Sequence, residues 1–324
     1  MHKCPPPKAE FKKRFEEYPD VNGDFGHTLL EQKIEDDGLL AKGLKEYFES
    51  AHLDARERFH ADIGIDLHPD AAGDEPMVVY PGSLPSTTRR GLFGEVLAGL
   101  LTEIYEYVGG HEWSVPIFLF RHHEDAFQYL FSLTRFPERT RQTIGRLGSD
   151  FIGLALDEDC NVTRIISGEA KWRETLTKGV VETLMLGKWV AKDKSKPKSK
   201  ANRERSGKGV WYYVNNEPNV PSGARQLQRL LQEHDPVGYD ATILSLQSLL
   251  VAKNPHPVPK TDLVVVAGNG SKTRKERECL LPFKKAPAEY TAGNDLQIME
   301  VIMIGGEELI DKIYASLWEE GEDA

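Results

Sequence analysis

The sequence predicts an α/β fold with a central mixed sheet flanked by helices, and three observations carry that reading. Residues 89–108, RRGLFGEVLAGLLTEIYEYV, place Leu92, Phe93, Val96, Leu97, Leu100, Leu101, Ile104 and Val108 on one broad apolar helical face. Residues 150–172 read as two short strands joined by the polar turn Asp157–Asn161, the second strand rich in β-branched Val162, Thr163, Ile165 and Ile166. The apolar runs 262–270 and 296–304 read as buried strands, and the second leads through Gly305-Gly306 into a helix from Glu307 to Trp318.

Composition sets the bounds. The chain has 324 residues, 40% of them hydrophobic, enough for one large domain or two smaller ones with a sizeable core. No apolar run is long enough to span a bilayer. The opening segment MHKCPPPKAEFKKRFEEYPD lacks an apolar signal core, so a cytoplasmic location is expected. Cys4, Cys160 and Cys279 are odd in number and scattered, which indicates neither a disulfide framework nor a zinc site. A net charge of −10 argues against a general nucleic-acid coat protein. It does not exclude a nuclease, because phosphate contacts need only local positive charge.

Four regions follow in order. Residues 1–88 read as an N-terminal helical and strand region. It opens with a polar leader (1–24) holding a charged helical piece. A helical stripe over 27–59 follows, interrupted near Asp36-Asp37-Gly38, and strands are expected around Ile63–Leu67 and Met77–Tyr80. His60, Asp62 and His68 can be drawn as a metal trio but read as surface or core residues. Residues 89–190 form the predicted core: the helix above, a buried strand at 115–120, a helix at 124–133, the 150–172 hairpin and a helix at 174–190. His122 and His123 beside Glu124-Asp125 lack the i, i+4 spacing of a helical metal site and read as a polar loop cluster. Residues 191–209 form a basic loop.

Residues 210–324 read as a C-terminal α/β region. Val210–Val214 is expected as a strand, followed by two helices within 222–251 and a proline-rich connector from Asn254. Gly268-Asn269-Gly270-Ser271-Lys272 lacks phosphate-loop spacing.

The residues with the clearest chemistry lie in the hairpin. Alternation puts Glu169 and Lys171 on one face of the second strand with Ala170 on the other, and folding back brings Asp150 near them. Two carboxylates suit a hard divalent cation such as Mg²⁺, which keeps several of its waters, or Mn²⁺. A lysine beside such a cation can orient a water or neutralise developing charge. The competing reading is a solvated Glu–Lys pair guarding an edge strand. Glu95, early in the 89–108 helix, also has a plain reading as a complement to the helix dipole.

Positive charge gathers in two places. Arg89 and Arg90 precede the apolar helix and are candidate phosphate contacts. The run 188–208 holds Lys194, Lys196, Lys198, Lys200, Arg203 and Arg205 among other cations. It reads either as a solvated loop or as a loop that also contacts a nucleic-acid backbone without sequence preference. The aromatics of 210–214 suit base stacking beside that run or simple burial in a core strand.

An Asp, about twenty residues, then Glu-x-Lys at a strand end resembles the PD-(D/E)xK nuclease family, with Ser149 standing where that motif often has Pro. The strand-helix-strand-strand-helix order from 89 onward fits the core of that family. Gly148-x-Asp150 with Gly168-Glu169-Ala170-Lys171, and Gly94-Glu95-x-Leu97 on the preceding helix, resemble the nuclease component of Hachiman-type bacterial antiphage defence systems, best over 89–190. The resemblance implies a restriction-endonuclease-like core with terminal elaborations. It also implies a Mg²⁺-dependent DNA nuclease restrained by a helicase partner, with Asp150, Glu169 and Lys171 as active-site residues. Glu95 would then be a further acid joining the metal site. A restriction or repair nuclease, or an inactive binding protein of the same fold, are the other outcomes this pattern allows.

Overall fold

The computed structural model describes residues 2–22, 24–36, 38–63, 80–105, 113, 117–118, 149–193, 195, 199–221, 223–251 and 258–318. Its centre is a seven-stranded sheet. The strands are β1 (Phe15–Asn22), β2 (Phe25–Gln32), β3 (Ile117–Phe118), β4 (Phe151–Leu156) and β5 (Val162–Leu176), then β8 (Lys260–Gly270) and β9 (Asp295–Met303). A separate two-stranded ribbon pairs β6 (Trp189–Ala191) with β7 (Arg203–Arg205). The order across the large sheet is β1-β2-β9-β8-β5-β4-β3. The central pairs β2/β9, β9/β8 and β8/β5 are parallel, and the pairs β1/β2, β5/β4 and β4/β3 are antiparallel. The α/β class with a mixed central sheet is as the sequence leads one to expect.

Eight α-helices are described: α1 (Lys8–Arg14), α2 (Leu39–Ile63), α3 (Ser86–Ile104), α4 (Lys178–Leu186), α5 (Val210–Asn216), α6 (Ala224–His234), α7 (Asp240–Val251) and α8 (Gly306–Ser316). Strand alternation assigns them to layers. Leu263, Val265 and Ala267 of β8 join the cluster that holds Phe48 of α2, Phe93 of α3 and Ile310 of α8. Val264 and Val266 face the other way, into a cluster with Val181 and Met185 of α4 and Trp211 of α5. The α6–α7 pair covers Ile152, Leu154 and Ile165 on that second face through Leu227, Leu231 and Leu246. Burial on both faces explains why β8 and β9 read as continuous apolar runs without period. Each fully buried Val, Leu or Ile contributes about 1.5–3 kcal/mol.

The α3 helix is the element laid closest on β5. A Cβ built on Gly94 would stand 3.5 Å from the Trp172 Cβ, and the Phe93 and Trp172 rings meet edge-on with centroids 5.1 Å apart. Residues Leu92–Thr102 are all buried, so the helix lacks the open polar face that its amphipathic reading implies.

Four expectations are corrected. The stripe at 27–59 is not one helix, since β2 occupies its first part and α2 begins at Leu39. Lying between β1 and β9, β2 is buried at every position, which removes the strand period. The charged leader also does not end as a helix, because residues 15–22 form the edge strand β1, where charges are tolerated. The helix at 174–190 is shorter than expected. Strand β5 runs on to Leu176, the Thr177 hydroxyl accepts the Val180 amide at 3.2 Å as N-cap, and Gly187 ends α4 with φ +86°. Finally, Val210–Val214 begins a helix, α5, that buries Val210, Trp211 and Val214 on one side.

The strand expected at 63–67 does not begin at Ile63, which is the last residue of α2; residues 64–67 and 77–79, His68, the 124–133 helix with His122 and His123, and the ends of the 115–120 strand lie outside the described residues. No helix among the described residues is long and apolar enough to cross a membrane.

Candidate active site

The site arises where β5 outruns its neighbour. Strand β4 pairs with β5 as far as Phe151 opposite Gly168, and the Asp150 amide donates to the Gly168 carbonyl at 2.6 Å. Beyond Gly168, no further β4–β5 pair is formed among the described residues. The next inward amide, Ala170 N–H, donates instead to Asp150 Oδ2 at 2.7 Å. A side chain thus replaces a ladder bond, and this draws the Asp150 carboxylate over the edge of β5.

Glu169 and Lys171 flank Ala170 on the opposite face from Trp172. Lys171 Nζ donates to Glu169 Oε1 at 2.5 Å and to the Ala170 carbonyl at 3.0 Å, and lies 3.9 Å from Asp150 Oδ2. The three side chains expected from the hairpin therefore meet. Their side-chain exposures are 13% for Asp150, 8% for Glu169 and 27% for Lys171, so the site opens through the lysine. Burial works against the Lys171 ammonium, but the charges of Glu169, Asp150 and Glu95 outweigh it and hold its pKa above the usual lysine value.

Lys171 opens into a cavity of about 640 Å³ between β5, α4 and the start of α5. Arg173, Lys188, Lys208 and Tyr213 share its lining. On the other side, Glu169 and Tyr213 line a small cleft with Ser149, Ser167 and Asp262.

The remaining candidates are placed as follows. Glu95 is buried on α3, the helix covering the Ala170 and Trp172 side of β5, and its charge is felt at Lys171, Tyr80 and Tyr314. Arg90 pairs with Glu307 at the start of α8, and Glu307 also accepts Trp172 Nε1 at 2.7 Å. Arg89 lies in the same first turns of α3. Lys200 and Arg203 are exposed. Arg205 is a brace, bonded to Glu182 at 2.7 Å, Thr183 Oγ1 at 3.2 Å and the Gly187 carbonyl at 3.2 Å. Lys194, Lys196 and Lys198 lie outside the described residues, as does Gly148.

Sequence reasoning missed Asp262. Its buried carboxylate pairs with Lys260 at 3.0 Å and accepts Tyr290 OH at 2.7 Å and Asn294 Nδ2 at 2.9 Å. It therefore serves as an anchor for the entry to β9. The local signal is Lys260-x-Asp262 at a strand start; its other partners are distant in sequence.

The donor set of Asp150 and Glu169, hard carboxylate oxygens, fits Mg²⁺ or Mn²⁺. Among the described residues, the one group of three His, Cys, Asp or Glu ligand atoms lying within 4.8 Å of one another is His27, Cys279 and Glu300. Asp150 and Glu169 each lie beside Lys171, and with Glu95 they do not form such a group of three. The His27–Cys279–Glu300 donors suit softer transition metals than Mg²⁺. Glu300 there is already engaged: it bonds His27 Nε2 at 2.8 Å and accepts the amides of Leu280 and Leu281 at 2.7 and 2.9 Å.

The sequence matches no protein-family model and no curated protein.

Proposed function

We propose that this protein is a metal-dependent nuclease of the PD-(D/E)xK type, with a restriction-endonuclease-like core, that hydrolyses phosphodiester bonds of DNA. The observation that supports it is the meeting of Asp150, Glu169 and Lys171 beside a cavity with a cationic lining. Asp150 and Glu169 would hold the cation. A bound Mg²⁺ supplies a more acidic water and stabilises charge on the attacked phosphate. Lys171, kept protonated by the surrounding carboxylates, orients a water at its ammonium and offsets negative charge as the phosphate is attacked. A role in antiphage defence under a helicase partner is part of the same proposal and rests on the resemblance of the GSD and GEAK segments.

A second reading draws on the 2.5 Å Lys171–Glu169 contact, which also suits a closed ion cluster that only staples the end of β4 to β5. The discriminating experiment incubates the purified chain with DNA in Mg²⁺ or Mn²⁺ and in EDTA. Cuts that require the divalent ion support the nuclease. If the chain is inert alone and together with a helicase encoded beside it, the cluster is structural.

A further inference from the structure

The cavity beyond Lys171 carries features that hydrolysis itself does not use. Among the described residues, Lys171, Arg173, Lys188 and Lys208 line it and no Asp or Glu does, in a chain of net charge −10. Charge of one sign at a concave surface in an acidic protein marks an anion site. A volume of about 640 Å³ is that of a small-ligand pocket, room enough for one nucleotide.

Aromatic rings stand at the same wall. Tyr213 lines the cavity, and the Tyr212 ring, 40% exposed, meets it edge-on at 5.6 Å. Trp189, 53% exposed, follows Lys188 on β6, and the Arg205 guanidinium sits 4.1 Å from its ring centroid. The brace that fixes Arg205 therefore also fixes the indole. Rigid exposed rings beside cations form a stacking platform, and a base offers its face to them only when its strand is unpaired.

We propose that the β6–β7 ribbon and α5 bind single-stranded nucleic acid. One nucleotide enters the cavity with its phosphate on Lys188 and Lys208, and bases stack on Tyr212 and Trp189. This assignment deepens the nuclease reading and rests on it for the polymer that reaches Lys171.

The test measures fluorescence anisotropy of a labelled oligothymidylate and of a labelled duplex on the full chain in EDTA, where nothing is cut. The single strand is expected to bind at least about tenfold more tightly. The double variant Trp189→Ala, Tyr212→Ala should weaken single-strand binding by about tenfold or more and leave duplex binding unchanged. Lys188→Ala with Lys208→Ala should weaken it and lower the salt slope by about 0.7 for each phosphate that is no longer neutralised. All four side chains are exposed, and thermal unfolding checks that the variants fold. Duplex binding as tight as single-strand binding, or unchanged single-strand binding by the aromatic variant, overturns the proposal. Single-strand binding without cleavage in Mg²⁺, both alone and together with a helicase encoded beside it, sinks the nuclease reading and leaves this one standing; metal-dependent cleavage with a duplex preference does the reverse.

Discussion

Asp150 Oδ2 accepts the Ala170 amide at 2.7 Å, so one carboxylate both completes the sheet edge and faces the Lys171 ammonium. These two duties can be separated. Asp150→Asn keeps an oxygen acceptor for Ala170 but removes the charge. Its thermal midpoint should match the parent, while cleavage falls about a hundredfold or more. Asp150→Ala loses both, and urea unfolding should show about 1–2 kcal/mol of lost stability in addition.

Gly168 sits opposite Phe151, and a Cβ at this position would lie 1.8 Å from Phe151 Cε1. The ring is fully buried and has little room to yield. Gly168→Ala should cost about 1–3 kcal/mol by overpacking. It should also reduce cleavage, because a displaced Phe151 carries Asp150 with it. Stability and rate measured on the same preparation check both outcomes.

His52 on α2 is fully buried between Tyr80 OH at 3.0 Å and Tyr314 OH at 3.2 Å, and burial lowers its pKa from 6.5 to about 3. The sign follows from linkage. Below pH 6.5 the unfolded chain takes up a proton that the folded one refuses, so this residue lowers stability as pH falls toward 3. The slope is about 1.4 kcal/mol per pH unit. Urea unfolding between pH 6 and 4 should show that His52→Gln is less acid-sensitive than the parent by about that slope, whatever its stability at neutral pH.

Glu300 is 1% exposed and ties β9 to His27 of β2 and to the amides of Leu280 and Leu281. Glu300→Ala leaves three buried donors without their acceptor and should cost about 3 kcal/mol or more. Limited proteolysis should show earlier cutting near residues 279–281 in the variant. An unchanged stability and digestion pattern would contradict the tie.

The hairpin is legible in the sequence because its information is local. A polar turn, two apolar strands and alternation suffice to bring Asp150 toward Glu169 and Lys171. Strand β2 is not, since burial on both faces erases the period that separates strand from helix. Helix α5 reads as a strand because five apolar and aromatic residues suit either conformation. Its helical form depends on which of them find a core, namely Val210, Trp211 and Val214. The Asp262 network and the Arg205 brace draw partners from remote segments or another helix, which no local pattern announces.

The most direct test of the central claim compares cleavage rates in Mg²⁺ for the parent chain, Glu169→Ala and Lys171→Ala, each shown to be folded. The account predicts metal-dependent cuts by the parent and a loss of about a hundredfold or more in both variants. Cleavage that persists at the parent rate in either variant would contradict it.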